Sequence, residues 1–140
     1  MNENLRFEYQ VSGDDFTRAG EASSDIKNKL KQMGVDPTAV RKAAIAMYEG
    51  EINMVIHAHG GTIIVDILPD RIVMDLIDHG PGIADISKAM QAGFSTAPDQ
   101  IRSLGFGAGM GLPNMKKYSD EMEITSTLGE GTTVHMVVNF

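Results

Sequence analysis

With 140 residues, 42% hydrophobic and 22% charged, the chain has the make-up of one soluble globular domain and is too short for two independent cores. Twelve Lys and Arg against nineteen Asp and Glu leave a formal charge of -7, which argues against a nucleic-acid partner because neutralising phosphates needs a basic face. Cysteine is absent, which removes disulfides, thiolate zinc sites and thiol nucleophiles together, and there is neither an apolar run near the roughly twenty residues of a bilayer span nor a secretory start in MNENLRFEYQ.

Leu5, Phe7, Tyr9 and Val11 alternate with Arg6, Glu8 and Gln10, the period of a strand with one buried face. From Asp15 the period lengthens: Phe16, Ala19, Ser23, Ile26, Leu30 and Met33 step by three and four, predicting an amphipathic helix capped by aspartate and stopped at Gly34. Asp36-Pro37 supplies an N-cap and a first-turn proline for a second helix, expected to run to about His59 with Gly60-Gly61 as its stop. Thr62–Leu68 and Arg71–Asp78 are β-branched runs joined at Pro69-Asp70, a hairpin. A short helix is expected around Asp85–Gln91, a glycine-rich mobile loop over Phe94–Met110 and a helix over Leu112–Tyr118. A second hairpin, Glu121–Thr127 with Thr132–Val138, turns at Leu128–Gly131. Strands paired locally as hairpins, with helices not interleaved one per strand, predict an α+β fold: a two-layer sandwich, its sheet mixed and largely antiparallel, with the helices on one face. One domain over residues 1–140 and a cytoplasmic location are the expectations.

Three clusters can carry chemistry. Glu49 and Asn53 are four apart on the second helix and share a face, which places a potential general base beside a neutral hard-oxygen ligand for Mg²⁺. Taken alone, that spacing is more often a solvated helix face. Gly50 between them costs roughly 1 kcal/mol in a helix and suggests a close backbone approach or a tolerated defect. Asp78-His79-Gly80-Pro81-Gly82-Ile83 follows a hydrophobic strand: the carboxylate can accept from an exocyclic amine such as adenine's, and the glycines admit a flat ring, though an ordinary turn has the same composition. Gly105, Gly107, Gly109 and Gly111 alternate into a helix, an arrangement that aims amides and a helix N-terminus at an anion. It meets neither the Rossmann spacing nor the Walker pattern, which needs Gly-Lys-Ser or Gly-Lys-Thr. His57 and His59 diverge on a helix and form no metal face, and the ten methionines read as core filler.

In this order the clusters resemble the N, G1 and G2 boxes of the GHKL (histidine kinase-like) ATPase superfamily, and within it the bacterial anti-sigma factor and serine-protein kinase branch. Glu49-x-x-x-Asn53-Met-Val-Ile-His57-Ala58 is similar to the first box, Asp78-x-Gly80-x-Gly82-Ile83 to the second and Gly109-Met110-Gly111-Leu112 to the third. Gly129-x-Gly131-Thr132-Thr133 resembles the closing Gly-x-Gly-Thr, and the likeness spans roughly residues 5–140. The resemblance implies a Bergerat-type ATP-binding fold and, residue by residue, the following roles. Glu49 would be the catalytic base and Asn53 the Mg²⁺ ligand. Asp78 would read adenine, with Gly80, Gly82 and Ile83 around the base. Gly107, Gly109, Met110, Gly111 and Leu112 would border the phosphates, with Arg102 and Thr132 lining the site and Arg18 contacting a protein partner.

The same resemblance implies an ATP- and Mg²⁺-dependent serine/threonine kinase acting on a sigma factor's antagonist or binding the sigma factor itself, and a homodimer. The alternative is a nucleotide-binding module that reports ATP or ADP without phosphotransfer. A sensor histidine kinase is disfavoured because no histidine precedes His57. Gly105-Phe106-Gly107-Ala108 is an insertion relative to the usual lid, and Glu51 offers a second carboxylate, but not at a usable turn from Glu49.

Overall fold

The computed structural model describes residues 5–13, 18–57, 60–83, 90 and 111–140, and of His57 the backbone alone. Five strands form one sheet: β1 (Leu5–Ser12), β2 (Gly60–Ile67), β3 (Arg71–Asp78), β4 (Glu121–Thr127) and β5 (Gly131–Asn139). Their order is β1-β2-β3-β5-β4, and every described pairing is antiparallel. Three described helices, α1 (Glu21–Gln32), α2 (Pro37–His57) and α3 (Gly111–Tyr118), complete the architecture. The helix expected near Asp85–Gln91 and the loop over Phe94–Met110 lie outside the described residues.

Register lines up one side chain per strand in each row of the core. Tyr9, Ile63, Leu76, Val134 and Ile124 form one row, and Phe7, Val65, Met74, Met136 and Met122 the next. The rows meet Ile26 and Leu30 of α1, Ala43, Met47 and Met54 of α2, and Leu112 and Met115 of α3 in a single core. Burying such a Leu, Ile or Met side chain contributes about 1.5–3 kcal/mol, so the alternating strand faces and helix stripes select this layering. The two-layer sandwich with helices on one face is therefore as expected.

Small residues set how closely α2 lies on the sheet. Ala39, Ala43, Ala46 and Gly50 recur at four, three and four residues along its buried side. A β-carbon at Gly50 would sit 2.2 Å from Leu76 Cδ2, so Gly50 marks a close helix–sheet approach rather than a tolerated defect. Asp36 caps α2 as its sequence predicts, its Oδ2 accepting from the Thr38 and Ala39 N–H groups at 3.1 and 3.2 Å.

Several boundaries differ from the sequence reading: Gly60 and Gly61, expected as the stop of α2, are the first two residues of β2, and β5 begins at Gly131. α1 begins at Glu21, not near Asp15: Arg18–Gly20 form a turn, and Gly20 takes the cap position with φ +98° and offers no side chain to cap the helix. Residues 14–17 lie outside the description. Met33 falls past the end of α1 and is 47% exposed, so it is not part of the buried stripe.

Candidate nucleotide site

Asp78 ends β3 where the chain must leave the sheet, and its surroundings hold one of its oxygens in place. Oδ1 accepts from the Gly80 N–H at 3.0 Å and from the Thr132 N–H of β5 at 3.1 Å. The approach of β5 depends on Gly131, where a β-carbon would lie 2.1 Å from the Asp78 carbonyl oxygen and φ is +135°. Oδ2 has no partner among the described residues, so an acceptor remains for an amine.

The loop after Asp78 is tied to the β4–β5 turn. Gly129 N–H donates to the Pro81 carbonyl at 2.9 Å, and Ile83 N–H donates to Ser126 Oγ at 2.7 Å. Ser126 Oγ is in turn 2.8 Å from Thr132 Oγ1. Gly82 has φ +81°, and a β-carbon there would sit 2.6 Å from the Thr127 carbonyl oxygen. Asn53, Met54, Asp78, Gly82, Ile83 and Thr132 line a cavity of about 40 Å³. Small-molecule sites usually span roughly 300–1,000 Å³, so this cavity among the described residues is too small to hold such a ligand by itself.

A second group of the predicted site residues lies where α2 meets α3. Gly111 opens α3, and its β-position lies 3.7 Å from Asn53 Oδ1 and 4.0 Å from Glu49 Oε2. The Asn53 amide oxygen and the Glu49 carboxylate thus face a helix N-terminus, whose first N–H groups have no partner within the helix and, with the helix dipole, favour an anion. Asn114 Nδ2 donates to Glu49 Oε1 at 3.4 Å. Glu49 is half-buried, and burial raises its pKa above the ordinary carboxylate value, opposed by the Asn114 hydrogen bond. A higher pKa makes a carboxylate a stronger proton acceptor. The donor set suits Mg²⁺, a hard cation that takes few protein oxygens and keeps the rest for phosphate and water. Among the described residues no cluster of three or more His, Cys, Asp or Glu could hold a metal by itself.

The structure thus brings together Glu49, Asn53, Asp78, Gly80, Gly82, Ile83, Gly111 and Thr132. Leu112 follows Gly111, but its side chain is committed to the core, which leaves its backbone for a ligand. Arg102, Gly107, Gly109 and Met110 lie outside the described residues, as does the expected mobile lid. Arg18 stands apart from this site, on the exposed turn before α1, in a 3.4 Å ion pair with Glu21.

Sequence reasoning missed Asn114, and noted Glu51 only as a second carboxylate without its role. Glu51 is 3% exposed, and its carboxylate accepts from the N–H groups of Gly20 (3.0 Å), Ala22 (3.1 Å) and Ser23 (3.1 Å). A side chain of α2 therefore caps α1, which supplies no cap of its own. A signal for it existed: Glu51 lies four residues from Met47 and four from Val55, both buried, so it interrupts an apolar stripe.

Residues 14–138 match the histidine kinase-like ATPase domain family, and the chain belongs to it. Among curated relatives, an anti-sigma F factor of Caldanaerobacter subterraneus subsp. tengcongensis is 40% identical over 109 residues, covering 73% of each chain. An anti-sigma F factor of Thermoanaerobacter sp. is 39% identical over 83% of this chain and 69% of its own. The serine/threonine-protein kinase RsbT of Bacillus subtilis is 32% identical over 79% of this chain and 80% of its own. These relatives bear out the resemblance to the anti-sigma and serine-kinase branch. No helix among the described residues is long and apolar enough to cross a membrane.

Proposed function

We propose that the chain is an ATP-binding regulator of the anti-sigma type, a single domain that works in the cytoplasm as a serine/threonine kinase on an antagonist protein and so regulates transcription. The observation that carries the reading is the convergence at α2: Asp78 with one oxygen anchored and one presented, and Glu49 and Asn53 facing the N-terminus of α3. Similarity to anti-sigma F factors and to a serine/threonine kinase supports the class of partner and of reaction.

In this reading Asp78 Oδ2 accepts from the adenine amine, with Gly82 and Ile83 beside the ring. The α3 N-terminus binds phosphate oxygens through N–H groups that have no partner within the helix. Asn53 would hold Mg²⁺, which would neutralise phosphate charge. Glu49 takes the proton of the attacking hydroxyl as the new oxygen–phosphorus bond forms and the bond to ADP breaks, a contribution of about 10²–10⁴ in rate. Arg18, exposed on its turn, is the contact offered to a protein partner, and a homodimer is part of the proposal.

Calorimetry with ATP and Mg²⁺, followed by transfer of labelled γ-phosphate to a candidate antagonist, tests this. Binding with transfer is the expected result. Binding without transfer or hydrolysis assigns the nucleotide-reporting module instead, and no binding at millimolar MgATP refutes the site.

A further inference from the structure

The hydrogen bond between α3 and the base has a direction that the roles above do not use. Gly111 and Asn114 are three apart and share the face of α3 turned to α2. Buried Leu112 and Met115 fix the rotation of α3, and Met115 Sδ lies 3.3 Å from the β-position of Gly50, the residue next to Glu49. Within that frame the two oxygens of Glu49 have different neighbours. Oε1 accepts from Asn114, and Oε2 faces Gly111 at the mouth of the helix. A carboxylate only accepts, so the Asn114 amide must present its NH₂ group.

We propose that Asn114 is a positioning residue for phosphoryl transfer: it holds Glu49 Oε1 so that Oε2 is the oxygen that takes the proton from the attacking hydroxyl. The inference rests on Glu49 being the base. Without Asn114 the carboxylate turns about its terminal torsions, and neither oxygen is held where the hydroxyl arrives. The proton passes to Oε2 as the oxygen–phosphorus bond forms and ADP leaves with the bridging oxygen, so Asn114 gives up no proton and touches no substrate. Its hydrogen bond also opposes part of the effect of burial on Glu49.

The test is single-turnover ATP hydrolysis at saturating MgATP, with nucleotide affinity measured calorimetrically, for Asn114→Ala, Asn114→Asp and Glu49→Gln. Asn114→Ala should turn over roughly 10- to 100-fold more slowly with affinity within about twofold of wild type. Asn114→Asp, the same shape but no donor and a like charge against Glu49, should be at least as slow. A residue that merely packed α3 would give the opposite order, with Asp near wild type and Ala impaired. Adding Asn114→Ala to Glu49→Gln should slow hydrolysis no further. Asn114→Asp at the wild-type rate beside an inactive Glu49→Gln overturns this proposal alone. Glu49→Gln at the wild-type rate overturns the base assignment and this proposal with it. A readout independent of turnover is the side-chain amide resonance of Asn114, which should shift in Glu49→Gln; an unchanged resonance overturns the contact.

Discussion

Glu49 and Glu51 are two residues apart on α2, about 200° around the helix, and the protein treats them in opposite ways. Glu51 is buried with three backbone N–H donors on its oxygens. Glu49 is half-buried with, among the described residues, one donor at 3.4 Å, and burial raises its pKa. The first carboxylate is spent on structure, binding α1 and the Arg18 turn to α2. The second keeps most of its accepting capacity, at a cost in desolvation. In the proposed mechanism, acceptance left open beside a helix N-terminus is what sets Glu49 apart from Glu51, although both are glutamates on one helix.

Substitutions can break that contrast in order of expected effect. Glu49→Gln should lower ATP turnover by about 10²–10⁴, roughly 3–5 kcal/mol in the barrier, with MgATP affinity nearly kept, measured by single-turnover hydrolysis and calorimetry. Glu51→Ala strands the three N–H groups at the start of α1. It should cost about 3 kcal/mol of stability in urea unfolding, with turnover per folded molecule unchanged. Asp78→Asn can keep its acceptor to Gly80 and Thr132 but places an NH₂ group where adenine brings its own. It should weaken ATP by about 2 kcal/mol, roughly thirtyfold, while the melting temperature moves little.

The smallest effect is one of pH. Because the folded-state pKa of Glu49 is raised, hydrolysis should fall as pH drops through that raised value, earlier than an ordinary carboxylate would allow. The same shift means that protonating Glu49 favours the folded state, so its contribution to stability improves as pH falls while activity declines. A pH–rate profile and acid-side melts of wild type against Glu49→Gln check the pair of signs.

The strands, both hairpins and α2 were legible because their signals are local. Period-two alternation marks Leu5–Val11, and Asp36-Pro37 caps α2 within three residues. The start of α1 was not, because its capping group is on Glu51, 28 to 31 residues away in the chain. Propensity looks for a cap in the neighbouring residues and found Asp15. Asp78, Glu49 and Asn53 were legible as motif members, and the resemblance implied their division of labour; what required the fold is the anchoring of Asp78 Oδ1 by Gly80 and Thr132 and the placing of Glu49 and Asn53 beside the start of α3. Asn114 carried no motif, and only the rotation of α3 brings it to Glu49.

The sign of the stability change at these two glutamates tests the central claim most directly. Thermal unfolding of wild type, Glu49→Gln and Glu51→Gln at neutral pH, each with and without MgATP, reads it in one series. Glu49→Gln removes a desolvated charge and should melt no lower than wild type while keeping its shift with MgATP. Glu51→Gln replaces one accepting oxygen by a donor facing backbone N–H and should lose about 1–3 kcal/mol, roughly 3–10 °C. Equal losses in the two variants, or a lower melting temperature for Glu49→Gln, would contradict the division between a structural and a functional carboxylate.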